Sequence, residues 1–249
     1  MRLKYFLICL PVLWMTCSSS HRNRIDIRIP SAQEEAEYIW RTLQDLPFFE
    51  KNNYTVALPS GGLINELKIK AIEGKLSPMD YGRLEQFVID NVYHEADYRA
   101  GYEKIKSAQA LIEQMIGEIN PALFDWSFHT FEVYQVNLTL YGPGGSYDPE
   151  EGSILIFTTP EGQFKQYDNP ANTIIHEVVH IGIEDSIVTV YKVPHALKER
   201  IVDTFVSLHF GNYLPDYRIQ NMGDQRTDDH LTKVEDFKNL HQIVEGILN

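Results

Sequence analysis

Hydrophobic and polar positions alternate most clearly over residues 131–141. Tyr134, Val136, Leu138 and Leu140 oppose Gln135, Asn137, Thr139 and Tyr141, a period of two that predicts a half-buried strand. A glycine- and proline-rich turn follows at 142–146, and residues 153–158 read as a second strand, apolar at nearly every position. The period then changes. Asp168-Asn169-Pro170 reads as a polar cap with proline at the first helical position. The stretch beyond it, Thr173 to Ile183, is apolar almost all round, the mark of a buried helix. Helical spacing also predicts helices over 32–46 (Tyr38, Ile39, Leu43 and Leu46 inward), from Ser77 to about Val92, and over 95–119 (Tyr98, Tyr102, Ile105, Ile112, Met115 and Ile119 on one side). Two more are expected over 195–209 and 228–248, with 211–226 as loop. These elements predict an α+β fold, mainly helical, with a small sheet next to the apolar helix. With no repeat and no internal linker, residues 31–249 read as a single domain: a helical lobe (31–120) followed by a second part (121–249).

The first twenty residues follow another logic. Met1-Arg2-Leu3-Lys4 is basic, and Tyr5 to Trp14 is almost wholly apolar. That run is too short for a bilayer span, which needs about 20 residues. It reads as an export signal over 1–20. Cys17, followed by serines, resembles a bacterial lipoprotein cleavage site, although Trp14 and Thr16 stand where leucine and a small residue are usual. Cleavage near Ser20 is the alternative. The expectation is an exported cell-envelope protein, held to the membrane by lipid on Cys17, with residues 21–30 as a linker. Both cysteines, Cys9 and Cys17, lie in this segment, so the domain has neither a disulfide nor a thiolate ligand. The net charge of −13 argues against nucleic acid as a partner and against acidic membrane surfaces.

The buried helix carries the chemistry. Its only polar residues near the centre belong to the run His176-Glu177-Val178-Val179-His180. Residues four apart share a helix face, with Cβ atoms about 5–6 Å apart. Two imidazoles so placed converge on one ion, while Glu177, rotated by roughly 100°, overhangs its open side and can take a proton from water. Burying two imidazoles and a carboxylate without partners costs several kcal/mol, and a metal ion supplies the partner. The run is the HExxH signature of zinc metallopeptidases.

Three residues compete for third ligand. Glu184 lies four beyond His180, but on a straight helix it stands about 12 Å along the axis from His176, too far to share one ion. Gly182, Ile183 and Ser186 do not match the glycine and third histidine that some zinc peptidases place just past the helix. Glu199, after 18 intervening residues, starts the first turns of the 195–209 helix behind Pro194, with Asp203 one turn later on the same face. A carboxylate on the ion and an acid accepting a ligand ring N–H make physical sense together. His195, one turn before Glu199, is a rival.

With His176, Glu177, His180, Glu199 and Asp203 in this spacing, residues 150–210 resemble the gluzincin branch of zinc peptidases. The resemblance implies a zincin-like fold, one Zn²⁺ on His176, His180 and Glu199, Glu177 as general base, and Asp203 behind a ligand histidine. It implies a peptide or protein substrate. The exopeptidase strand of the aminopeptidase members is missing, and Glu199 is not preceded by Asn, which puts exopeptidase activity in doubt. This branch uses a Tyr or His to donate to the developing oxyanion. Tyr191 and His195 are the candidates, with His209, Tyr213 and Tyr217 behind them. Residues 153–159 are expected to be the edge strand that pairs with an extended substrate. The alternative is a zincin-like envelope protein that binds but does not catalyse.

Overall fold

The computed structural model describes residues 23–164, 168–221 and 223–249. The expected export signal, including Cys17, lies outside them. Among the described residues no helix is long and apolar enough to cross a membrane.

The architecture is mixed α+β. In chain order the described elements are β1 (Arg24–Arg28), α1 (Ala32–Gln44), α2 (Leu46–Lys51), α3 (Gly62–Ile72), α4 (Pro78–Asn91), α5 (Arg99–Glu118), β2 (Val133–Thr139), β3 (Gly145–Asp148), β4 (Ser153–Phe157), α6 (Ala171–Ile183), α7 (His195–Phe210) and α8 (Leu240–Leu248). The sheet has the order β1-β2-β4-β3. β1, β2 and β4 are parallel, and β3 runs antiparallel to β4 along the outer edge. The alternation read in β2 holds: Tyr134, Val136 and Leu138 are fully buried.

Two readings of strands are corrected. Residues 24–28 are not linker but β1, with Ile25 opposite Tyr134 and Ile27 opposite Val136. Arg24, Asp26 and Arg28 are the outward positions of this period-two strand. The expected edge strand at 153–159 is β4, which is flanked on both sides; the edge on that side is β3, which begins within the stretch read as a turn. Its residues, Gly-Ser-Tyr-Asp, carry no hydrophobic alternation to announce a strand.

Two hydrophobic cores form. One joins the sheet to α5, α6, α7 and α8, with Ile105, Ile112, Ile154, Ile174, Val178 and Phe205 fully buried. The other joins α1, α3 and α4 through Ala36, Ile39, Leu43, Ile64, Leu67, Leu84 and Val88. α5 faces the sheet, so the helical lobe ends near residue 91 rather than 120. The cores meet at Tyr93 and Tyr141. Ala57 and Gly142 add a pair of reciprocal backbone hydrogen bonds of 3.0 and 2.8 Å.

The C-terminal helix is shorter than expected. Asp236 Oδ2 accepts the Thr232 and Lys233 N–H groups, which starts a 3₁₀ turn at Val234–Asn239, and only Leu240–Leu248 is α-helical. The expectation that α6 is buried nearly all round holds. Gly182 has a packing reason: a Cβ there would lie 2.0 Å from the Phe128 ring.

Candidate metal centre

α6 starts with Pro170 as its first cap, where Asn169 Oδ1 accepts the Ala171 N–H at 3.0 Å. The helix presents His176 and His180 one turn apart, their Nε2 atoms 3.0 Å from each other. α7 packs beside it and brings up Glu199. Glu199 Oε2 lies 3.4 Å from His176 Nε2, and Oε1 lies 3.4 Å from His180 Nε2. Donors about 2.0–2.1 Å from a tetrahedral ion stand about 3.3 Å apart. Here the two Nε2 atoms are 3.0 Å apart and each faces one oxygen of the Glu199 carboxylate at 3.4 Å. His176, His180 and Glu199 therefore fit one metal ion, and all three are largely withdrawn from solvent.

Asp203 takes the supporting position read from the sequence, one turn after Glu199. Its Oδ1 lies 3.3 Å from His176 Nδ1. Tyr217 stands between them, donating its hydroxyl to Asp203 Oδ1 at 2.7 Å and lying 2.7 Å from His176 Nδ1. Because the tyrosine's one proton goes to the carboxylate, His176 must donate from Nδ1. That arrangement leaves Nε2 as the ring nitrogen that a metal ion would take in place of a proton. The Gln220 N–H donates to Asp203 Oδ2 at 2.7 Å.

The electrostatics call for positive charge at this point. Burial opposes a charge on His176, but its bonds to Asp203 and Glu199 outweigh burial and lift the ring to about 10. In the bare protein a proton thus supplies the charge that a cation would bring. Burial holds His180 down at about 4, neutral and able to ligate. Burial also works to raise Glu199, yet the His180 and His176 rings keep its carboxyl well below the usual range.

Glu177 lies beside the triad, buried against β3. A Cβ on Gly145 would sit 2.2 Å from its Oε1, so only glycine lets the strand come this close. Burial pushes its carboxyl up to about 7, with Glu199 adding to the effect and His176 and Lys198 opposing it.

No family model, curated protein or solved structure matches this chain. The reading of the site therefore rests on its own geometry.

The site opens on a cleft of about 560 Å³ between the two cores. Leu155 and Phe157 line one side, and Tyr38, Arg41, Phe48 and Tyr54 of the helical lobe line the other. His195 belongs to it. Its Nδ1 lies 3.5 Å from Glu199 Oε1, and its Nε2 lies 2.8 Å from the Tyr54 hydroxyl. It links Glu199 to the helical lobe.

Other candidates fall elsewhere. Tyr191, beyond the π-helical turn Glu184–Thr189, packs against the sheet core and does not line the cleft. His209 stacks on Phe205, and Tyr213 donates to Glu118. Glu184 lines the cleft, but its Oε2 accepts the Tyr147 hydroxyl at 2.5 Å instead of turning to the triad. Tyr54, Tyr147, Lys198 and Gln220 were not foreseen. Tyr54 and Tyr147 come from segments without helical or strand periodicity, and no local pattern could have marked them.

Proposed function

We propose that this chain is a zinc-dependent hydrolase of peptide or amide bonds, a zincin-like, gluzincin-type peptidase. The observation that carries this reading is the meeting of His176, His180 and Glu199 at one point, from two helices and across 18 intervening residues, with the buried Glu177 carboxylate beside them. His176, His180 and Glu199 would hold the ion. Zinc, when bound, lowers the pKa of water towards 7 and polarises a carbonyl.

The chain's own groups do the rest. Glu177 takes the proton from the attacking water and passes it to the leaving nitrogen. A carboxyl held near 7 by burial suits both halves of that task at neutral pH. Asp203 and Tyr217 keep His176 in its ligating tautomer. Tyr54, pushed up to about 12 by burial and by the charges of Glu199 and Glu177, stays protonated, and with His195 it is the candidate donor to a developing oxyanion. β3 offers the open sheet edge along which an extended peptide can pair. In the same proposal, the expected export signal and Cys17 support a cell-envelope location, on a lipid anchor if Cys17 is lipidated.

The test is Glu177→Gln in the purified protein, with zinc measured by elemental analysis and cleavage followed on a peptide library with and without chelator. Activity should fall by about 10²- to 10⁴-fold while zinc stays stoichiometric. Hydrolysis that survives the change removes Glu177 from the mechanism. Zinc in the wild type without any turnover would favour the binding-protein alternative.

A further inference from the structure

The two ligand rings are held in different ways. His176 has its hydrogen bonds through Tyr217 and Asp203. His180 Nδ1 is buried and makes no hydrogen bond. A ligand histidine ordinarily donates its second ring N–H to a carboxylate, carbonyl or water, which fixes the plane of the ring. At His180 nothing of that kind is present among the described residues.

What lies on the ring is Tyr147. The two rings are within 7° of parallel, with centroids 4.8 Å apart, an offset stack. Tyr147 is itself clamped. It donates to Glu184 Oε2 at 2.5 Å and accepts from Lys198 Nζ at 2.8 Å. The clamp draws on three elements: Tyr147 from β3, Glu184 from the π-helical turn after α6, and Lys198 from α7.

Building on the metal reading above, we propose that Tyr147 is a positioning residue of the centre: its ring, locked by Glu184 and Lys198, sets the plane of the His180 imidazole in place of a hydrogen bond at Nδ1. A flat stack resists tilting of the imidazole, and tilting is the motion that turns the Nε2 lone pair away from the triad. Since Tyr147 belongs to the open edge strand, the ligand ring is coupled to whatever pairs with β3. The polar, turn-like sequence of β3 thereby has a use that hydrophobic patterning could not reveal.

The experiment uses the full chain and compares Tyr147→Leu, which removes the ring, with Tyr147→Phe, which keeps it. Zinc affinity is read by competition with a chromophoric chelator, and ligand geometry by the visible spectrum of bound Co²⁺. Tyr147→Leu should weaken zinc binding about 10- to 100-fold and alter the Co²⁺ bands, whereas Tyr147→Phe, which keeps the ring but loses its clamp, should fall between the leucine variant and wild type. A leucine variant with wild-type affinity and spectrum overturns the proposal, as does a phenylalanine variant that falls as far as leucine. Should the leucine variant not fold, the wild type decides alone: ring current from Tyr147 should shift the His180 ring protons upfield in NMR spectra, and ordinary positions for them refute the stack. A wild-type chain that binds neither ion overturns the metal reading itself, an outcome distinct from intact binding that ignores Tyr147.

Discussion

At the scale of the residue, the centre shows how position decides the role of identical groups. Glu177, Glu184 and Glu199 are all carboxylates within reach of one cleft. Glu199 faces both ligand rings at 3.4 Å, Glu184 is engaged by Tyr147, and Glu177 is pressed against Gly145. Removing each should therefore have a different result. If the proposed zinc site is right, Glu199→Ala takes away its third ligand and should weaken zinc binding by more than about 100-fold, whereas Glu184→Ala should change it by only a few-fold. Chelator competition on the two variants checks this, and the reverse order would mean that Glu184 is the ligand. The two histidines are likewise unequal, since His176 is lifted to about 10 by its acidic partners while burial holds His180 near 4.

At the scale of the element, the site depends on how closely β3 lies on α6. The strand comes so near the helix that a side chain at 145 would occupy the space of Glu177 Oε1 and lie 2.8 Å from Thr173 Cγ2. The obstructed oxygen is the tip of a flexible side chain, so Gly145→Ala should fold. Its effect should fall on Glu177: zinc content unchanged, and hydrolysis reduced by about 100-fold, as a displacement near 1 Å at a reacting group can cost. A variant with wild-type turnover would show that Glu177 has room to spare. α6 itself was legible because its apolar residues run all round while its polar ones cluster at 176–180. Its partner β3 was not, since a four-residue strand of small and polar residues is indistinguishable from a turn until β4 pairs with it.

At the scale of the whole molecule, two cores flank the cleft, and a buried acid sits where they join. Glu35 of α1 is fully buried and accepts the N–H of Leu140, just beyond β2, at 3.0 Å. Burial pushes its carboxyl up to about 7, only partly offset by that hydrogen bond and by the Tyr98 and Thr139 hydroxyls. In the folded chain it keeps its proton up to about 7, in the unfolded chain only up to about 4.5. Its contribution to stability is thus complete below pH 4.5 and declines as the pH rises to 7. Glu35→Gln should leave stability unchanged near pH 4 and raise it by on the order of 3 kcal/mol at pH 8. Urea unfolding at the two pH values measures the difference, and equal gains at both would show that the buried acid titrates normally.

The sequence by itself determined the local features: β2 from its alternation, α6 from its unbroken apolar surface, and the candidate ligand pair from a spacing that a helix converts into a shared face. It also pointed to Glu199 and Asp203, because they lie on a helix whose own period places them one turn apart. Tertiary structure alone decided the rest. That 24–28 joins the sheet, that α5 packs in the sheet core, that β3 lies at an edge, and that Tyr54, Tyr147 and Tyr217 reach the candidate metal centre are all contacts between distant segments. Periodicity reports which face of an element is buried, not what it is buried against, and a single tyrosine carries no period at all.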